Sequence, residues 1–395
     1  MNTLDTKLPQ IDDFLHGKFL KLDIAAINKE LRDFWIMAQD SANTQISTTR
    51  ACSNNLIILT QEAASEESLS DLIDNIMIYN PCRAILAICA KANEDSFEAY
   101  ARARCHLVGT GQKKQVCSEQ ITIKQTYIET DAKKVVNHSF EMASAVSSLL
   151  LQDMPVIMWW QSDDFNYDYF RPFDYFVDTL IVDTAKICRK NPVGFFQLEK
   201  YPNLSTIDLA GVRLLPWRKA IALTLDQFFA QGNIKFTSLR FVMKKAESPA
   251  SNVFYEAMYL LSWLSEKLKF KLANAKLKNN DLDLLLEEVD RKYTNHNLPV
   301  VVTSIDSTDH FDNNINKISI YFEHNNTEKC VDFMVNNNEI LVTGDVENSV
   351  FKVCDNDTTV LIRELVNLND SYSYTKFSSN LFNLIKSVRE VKNAK

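Results

Sequence analysis

The chain has 395 residues and a formal net charge of −8, and 46% of its residues are hydrophobic, so it is long enough for two or three domains and can bury a full core. Only 7 of the 395 residues are glycine, whereas an average soluble protein of this length, with about 7% glycine, has roughly four times as many. The sequence accordingly lacks a Walker phosphate loop and a Gly-x-Ser-x-Gly nucleophile elbow, and the acidic balance argues against a nucleic-acid binder with a basic face.

Two further absences bear on cofactors and location. The string nearest to a dinucleotide fingerprint, at 109–114, lacks the third glycine. No signal peptide and no stretch of 18 apolar residues is present. We therefore expect a cytoplasmic protein with no dinucleotide cofactor and no contact with membranes.

The first two hundred residues alternate short apolar runs with helical patterns. Apolar runs predict buried strands at 56–59, 83–90, 154–160 and 179–184. Helical spacing predicts helices at 68–79, 94–103 and 132–151, and alternation predicts a half-exposed strand at 118–129. This order is typical of an α/β fold, here a mainly parallel sheet with helices on both faces. We expect it to form a first domain over 1–232, including an N-terminal helical arm.

Carboxylates follow several of the predicted strands. The carboxyl ends of strands line the ligand crevice of an open parallel sheet. Asp163, Asp164 and Asp183 are therefore candidates for ligand binding, and capping of loops is the alternative.

Aromatic residues are concentrated after the third buried strand. Trp159 and Trp160 end that strand, and seven further aromatic residues fall within 165–176. Core packing explains such a cluster, but aromatic side chains also anchor interfaces and line ligand pockets. The sequence leaves both interpretations open.

A second unusual string surrounds Pro216, which is placed to open a helix. Arg213 and Arg218 flank it, and Trp217 follows it. The two arginines could bind a carboxylate or phosphate bidentately, or they could hold the acidic strand ends of the first domain together.

The rest of the chain predicts an α+β domain over 233–395. Its expected elements are a strand at 234–243, a helix at 251–268 beginning at a Ser251 or Asn252 cap, an alternating strand at 267–278, an antiparallel meander at 299–356, and closing helices at 358–367 and 376–392. The segment 279–297 is predicted to form a short acidic helix between polar ends and to connect the flanking elements.

Asparagine is abundant in this second domain, which contains 19 of the 34 asparagines from residue 279 onward. Asparagine tolerates the left-handed conformation that turns often require. We therefore expect asparagine to replace glycine in the turns at 324–328 and 336–339.

A basic stretch precedes this region, with nine basic and three acidic residues in 235–278. It is either a solvated face or a docking surface for an acidic partner or a phosphorylated metabolite.

Eight cysteines lie at 52, 82, 89, 105, 117, 188, 330 and 354, and none has a spacing typical of zinc ligands. No histidine pair has metal-ligand spacing, so no metal site is predicted. A nucleophilic Cys105–His106 pair is disfavoured because neighbours on a strand point to opposite faces. Buried reduced thiols and a regulatory thiol or disulfide pair both stay open.

Several strings, taken in order, resemble the glucose-6-phosphate dehydrogenase assembly protein family (OpcA). They are NKELRDFW (28–35), RACSNNLIIL (50–59), NPCRAILAI (80–88), CSEQITIK (117–124), LLLQDMPVIMWWQSD (149–163), FVDTLIVDTAK (176–186), DLAGVRLLPWRKAIA (208–222) and LLSWLSEKL (260–268). The sequence departs from the family at Gly211, where a large aromatic residue is expected.

The resemblance implies a non-catalytic protein that binds glucose-6-phosphate dehydrogenase and promotes its active oligomer in the oxidative pentose phosphate pathway. We expect the residues that bind this partner, or that form the core of the motif, to be Trp159, Trp160, Asp183, Arg213, Trp217 and Arg218. In photosynthetic relatives a redox link through thiols is implied, with thioredoxin as a partner; the candidates here are Cys52, Cys82, Cys105 and Cys117. An enzyme or sensor that binds a sugar phosphate in the first-domain crevice is the alternative.

Overall fold

The structure is a computed structural model that describes residues 13, 17–23, 26–40, 47–108, 114–128, 132–200, 204–244, 254–278, 281–289, 297–305, 315–337, 339–353 and 378–393. The glycine string at 109–113, the expected Ser251 or Asn252 cap, the expected helix at 358–367 and Cys354 lie outside these residues.

Seventeen strands in the described residues form two sheets. Their bounds are β1 (Leu20–Leu22), β2 (Ser47–Arg50), β3 (Asn55–Thr60), β4 (Arg83–Lys91), β5 (Ser96–Val108), β6 (Lys114–Tyr127), β7 (Val156–Trp160), β8 (Thr179–Val182), β9 (Ser205–Asp208), β10 (Ile234–Lys244), β11 (Phe270–Lys278), β12 (Asp281–Glu288), β13 (Asn297–Ile305), β14 (Ile315–His324), β15 (Thr327–Asn336), β16 (Glu339–Gly344) and β17 (Ser349–Lys352).

The α-helices of the same residues are α1 (Ile27–Asp40), α2 (Glu66–Tyr79), α3 (Ala132–Ser148), α4 (Tyr167–Phe170), α5 (Thr184–Lys190), α6 (Pro192–Gln197), α7 (Leu209–Arg213), α8 (Leu215–Phe229), α9 (Tyr255–Leu268) and α10 (Ser378–Asn393). None of these helices is long and apolar enough to cross a membrane.

The first sheet has nine strands in the order β1-β5-β6-β4-β3-β7-β8-β9, with β2 also paired to β6. The pairs β4–β6, β3–β4, β3–β7 and β7–β8 are parallel. β5 is antiparallel to both of its neighbours, β6 and β1. All six residues of β3 are buried, as expected for a strand covered on both faces. The predicted mainly parallel α/β sheet is confirmed.

Two expectations about this sheet are wrong. In the segment expected as a helix at 94–103, residues 96–103 are part of β5, because Ala99, Ala101 and Ala103 are buried with a period of two and pair with β6. Alanine favours helices, but the cross-strand pairing decides the structure here. The strand expected to be half-exposed at 118–129 lies between β4 and β5 and is mostly buried.

The second sheet has eight strands in the order β11-β12-β13-β10-β14-β15-β16-β17, and all pairs except β10–β13 are antiparallel. The predicted α+β domain with an antiparallel meander is confirmed. The acidic helix and connector expected at 279–297 is wrong for 281–288, which form β12. There Leu282, Leu284 and Leu286 alternate into the core.

Asparagines form the turns of the meander, as predicted. Asn325 and Asn326 have φ of 52° and 60° and connect β14 to β15 as a two-residue hairpin loop. Asn337, between β15 and β16, has φ of 52°. Short amide side chains thus supply the left-handed conformation without glycine.

The described residues divide into two compact units. The first contains those of Met1–Asp183 and Gln197–Ile207, and the second those of Thr184–Phe196, Asp208–Val360 and Tyr372–Lys395. The boundary expected after residue 232 falls within the second unit, in which α8 packs against β16 and β17.

Candidate functional site

The strand order of the first sheet reverses at β3, the position at which doubly wound sheets form their ligand crevice. The chain passes from β3 to β4 and β6 on one side and then returns to β7 on the other side of β3. In doubly wound sheets, a dinucleotide binds at the carboxyl ends of the strands at such a point, with its pyrophosphate on the following helix N-terminus. The equivalent position here is the segment from Thr60 to α2.

The residues of this segment do not fit a dinucleotide. The run after Thr60 is Gln-Glu-Ala-Ala-Ser-Glu-Glu and contains no glycine, and the first turn of α2 carries Glu66 and Glu67. The Thr60 hydroxyl accepts a hydrogen bond from the Glu62 amide at 3.1 Å. Carboxylates at the helix N-terminus repel phosphate, and side chains on the loop prevent close backbone approach.

The other side of the crevice carries the predicted aspartates. Asp163 and Asp164 follow the carboxyl end of β7 and are half-buried. Trp160 Nε1 donates to the Asp164 carbonyl at 3.1 Å. Asp183 follows β8 and is buried. The three aspartates thus follow the carboxyl ends of two neighbouring strands.

The two tryptophans at the end of β7 are part of the core. Trp159 is 8% exposed and Trp160 is 1% exposed. The Trp160 ring lies 5.0 Å from Phe165 and 6.2 Å from Phe170, centroid to centroid. Tyr175, by contrast, is 73% exposed. Of the two interpretations of the aromatic cluster, core packing describes its centre, and Tyr175 lies on the surface.

The string around Pro216 lies in the second unit. Pro216 occupies the first turn of α8, as predicted. Trp217 is fully buried, and its Nε1 has no hydrogen-bond partner among the described residues. Arg218 donates from Nη2 to the Gly211 carbonyl at 3.5 Å, and Arg213 is half-buried at the end of α7. The candidate residues Trp159, Trp160 and Asp183 thus lie in the first unit, and Arg213, Trp217 and Arg218 lie in the second unit.

Gly211 is required by the packing of α7 against α9. An added Cβ would lie 1.9 Å from the Tyr259 hydroxyl oxygen. Burial, with the Asp208 carboxylate nearby, raises the pKa of Tyr259 well above its ordinary value. The space expected to hold a large aromatic side chain at 211 is therefore filled by a tyrosine from another helix.

Asp208 organises the same region through hydrogen bonds. Its carboxylate caps α7 by accepting from the Ala210 amide at 3.1 Å. It also accepts from the Thr184 amide at 3.1 Å and the Thr184 hydroxyl at 2.5 Å, and the Thr184 hydroxyl is hydrogen-bonded to Tyr255. The buried carboxylate is satisfied by this network. The position of Asp208 before a helix is the sequence signal for its capping role, but no pattern in the sequence links it to Thr184.

A disulfide joins Cys105 on β5 to Cys117 on β6. The two residues are directly opposite each other in the antiparallel register. Cys117 is buried and Cys105 is half-buried. Two of the four cysteines that the resemblance singles out are therefore bonded to each other.

A buried carboxylate lies two residues after this disulfide. Glu119 is fully buried and accepts from Arg83 Nε at 2.7 Å and Arg50 Nε at 2.9 Å. Trp35 Nε1 of α1 donates to the same carboxylate. Glu119 thus connects β6 with β2, β4 and α1.

The other two candidate cysteines are free thiols in the same unit. Burial, with a smaller contribution from Glu119 and against the opposing effect of Arg50 and Arg83, raises the pKa of Cys52 to about 11. Burial raises the pKa of Cys82 also, with a contribution from Cys52. Both thiols are therefore protonated at neutral pH. Cys89, Cys188 and Cys330 are free as well, and no group of described residues could hold a metal ion.

The sequence of this region matches a known family. Residues 73–199 match the family model described as the glucose-6-phosphate dehydrogenase subunit N-terminal domain, of the OpcA assembly type. The chain thus resembles the OpcA family over residues 73–199, the OpcA segment. The OpcA segment contains Trp159, Trp160 and the disulfide.

Two curated cyanobacterial relatives carry the same family name. The chain is 29% identical over 161 residues to a Synechocystis sp. protein provisionally named OxPP cycle protein OpcA, covering 40% of this chain and 32% of the relative. It is 20% identical over 216 residues to a Nostoc punctiforme protein of the same name, covering 54% and 43%. The matches thus span less than half the length of each relative.

Solved structures resemble the chain more distantly. A glucose-6-phosphate dehydrogenase bound to glucose 6-phosphate aligns over 87% of this chain and 92% of that chain, with 7% identity and a TM-score of 0.46. A glucose-6-phosphate 1-dehydrogenase from Mycobacterium avium aligns over 87% and 91%, with 8% identity and a TM-score of 0.41. At these scores the likeness carries no argument about function.

Proposed function

We propose that this protein is a non-catalytic assembly factor that binds glucose-6-phosphate dehydrogenase and promotes its active oligomer in the oxidative pentose phosphate pathway. The observation that carries the proposal is the OpcA family match over 73–199. The names of the two cyanobacterial relatives support the same pathway.

The crevice of the first sheet supports the non-catalytic part of the proposal. A nicotinamide-dependent enzyme of this strand order needs a backbone loop that approaches a pyrophosphate closely. Here the loop has no glycine, and Glu66 and Glu67 occupy the first turn of the helix that follows. The residues therefore oppose the binding on which dehydrogenase chemistry depends.

The activating effect follows from differential binding. A partner that binds the active oligomer more tightly than the inactive form raises the active population by the ratio of the two affinities. The surface of the OpcA segment offers Tyr79, Phe140 and Tyr175, which are 65%, 53% and 73% exposed. Exposed aromatic residues are common anchors of interfaces, so we propose that docking uses this segment, with Trp159 and Trp160 maintaining its core.

The disulfide is the proposed point of redox control. Thioredoxin would reduce it by thiol–disulfide exchange: a thioredoxin thiolate attacks Sγ of Cys105, the less buried residue, and Cys117 leaves as a thiolate. The second thioredoxin thiol then resolves the mixed disulfide, so that two protein thiols form and thioredoxin becomes oxidised. Cys52 and Cys82, with raised pKa values, are proposed to stay reduced.

Kinetic assays of the dehydrogenase from the same organism test the proposal. We expect added chain to raise dehydrogenase activity at subsaturating glucose 6-phosphate, while the chain alone reduces no NADP. A Tyr175→Ala variant should require about tenfold more protein for half-maximal activation. Phe229→Ala, which alters an exposed aromatic side chain outside the OpcA segment, is the matched control. Unchanged kinetics at saturating chain would refute the proposal.

A further inference from the structure

A cavity of about 430 Å³ lies in the second unit, between the end of α9, the start of β11 and α10. Its volume is in the range of small-molecule sites. Polar groups form about half of the wall, and the principal ones are Ser265, Lys271, Asn383, Lys386, Ser387 and Glu390.

One helix supplies most of this polar wall. Asn380, Asn383, Ser387 and Glu390 are spaced by three or four residues on α10 and therefore share one face. Leu381, on another face of the helix, is fully buried. The amphipathic pattern of α10 thus directs a polar stripe to the cavity.

Ser265 provides an independent sign of a ligand. The residue is 4% exposed and lines the cavity. Its hydroxyl has no hydrogen-bond partner among the described residues. A buried hydroxyl without a partner is costly, and a polar group of a bound molecule in the cavity would satisfy it.

Lys386 offers an anion in the cavity a positively charged group. Lys271 Nζ already lies 2.9 Å from Glu287. Lys386 forms no ion pair with any other residue that the structure describes, so its ammonium is available to bind a negatively charged group. Lysine commonly binds phosphate as a point charge. Glu390 and Asn383 can accept hydrogen bonds from the hydroxyl groups of a polyol.

We propose that this cavity binds a small hydroxylated anion of the sugar-phosphate class. The phosphate lies against Lys386, and hydroxyl groups of the sugar bind Ser265, Asn383 and Glu390. The site is separate from the acidic crevice of the first sheet, and the proposal is independent of the proposed dehydrogenase partnership.

Isothermal titration calorimetry on the full chain tests the proposal, with glucose 6-phosphate, glucose and inorganic phosphate as probes. We expect saturable binding of glucose 6-phosphate that is tighter than binding of either fragment. Lys386→Gln should weaken it by about tenfold or more, because a charge-assisted hydrogen bond is lost. Ser265→Ala should weaken it by a smaller factor.

Lys29→Gln is the matched control, because Lys29 is also an exposed helical lysine without an ion pair among the described residues. Circular dichroism should show that all variants are folded. Absence of saturable binding, equal affinity in wild type and Lys386→Gln, or inorganic phosphate binding as tightly as glucose 6-phosphate would each overturn the proposal.

Discussion

At the scale of single residues, Gly211 shows how a departure from a family pattern is compensated. The sequence contains few glycines, and the one at 211 stands where the resemblance leads one to expect a large aromatic side chain. The Tyr259 hydroxyl occupies the position of the missing side chain. No pattern in the sequence links residues 211 and 259, so the sequence could identify the unusual position but could not explain it.

Gly211→Ala should destabilise the protein by about 2 kcal/mol, because overpacking forces α7 and α9 apart. Urea denaturation measures the change. In a double-mutant cycle, Tyr259→Phe should partly relieve the effect, since it removes the atom nearest to the added Cβ. An unchanged urea midpoint for Gly211→Ala would show that the two helices can adjust freely.

Glu119 is the other residue with a large expected effect. Its carboxylate is fully buried between Arg83 and Arg50. A buried ion pair adds little net stability as a whole, but removal of one partner leaves the other charge buried and uncompensated.

Glu119→Gln should therefore lower the free energy of unfolding by about 3 kcal/mol. Glu98→Gln is the control, because Glu98 pairs with Lys21 on the surface at 2.5 Å, and exposed pairs contribute little. Chemical denaturation of the two variants gives the comparison. Equal losses would mean that the Glu119 network does not behave as a buried one.

At the scale of elements, hydrophobic period and burial explain which strands could be predicted from the sequence and which were predicted as helices. The apolar runs that form β3, β4, β7 and β8 are short and bounded, so their strands could be predicted. β5 and β12 are rich in alanine or leucine, which favour helices. Their period-two burial becomes decisive only when the neighbouring strands are known.

The missed strand β5 also explains why the disulfide could not be predicted. With 94–103 interpreted as a helix, Cys105 had no register relative to Cys117. Once β5 and β6 are recognised as an antiparallel pair, the two cysteines are opposite each other, and their bridging becomes geometrically reasonable.

Loss of this disulfide should destabilise the first unit by about 3 kcal/mol, because it closes a loop with a sequence separation of 12. Thermal unfolding of Cys105→Ser in comparison with wild type measures the effect, and Cys330→Ser, which alters a free thiol, is the control. Reducing agent should lower the melting temperature of wild type and leave that of Cys105→Ser unchanged. A fall in the melting temperature of both proteins would mean that the reducing agent acts at a site other than this disulfide.

At the scale of the whole molecule, the two architectures could be predicted from the sequence, and the resemblance to the OpcA family could be recognised from its motifs. Residues 184–196 and 208–232 lie close in sequence to the strands of the first sheet. They nevertheless belong to the second unit. The motif residues Trp160 and Trp217 consequently lie in different units. The order of the motifs along the chain therefore indicated the resemblance without showing which motif residues share a surface.

The most direct test of the central claim is sedimentation velocity of the chain mixed with glucose-6-phosphate dehydrogenase from the same organism. We expect a complex that contains both proteins and an increased proportion of the active dehydrogenase oligomer. Independent sedimentation of the two proteins, with an unchanged distribution of dehydrogenase oligomers, would contradict it.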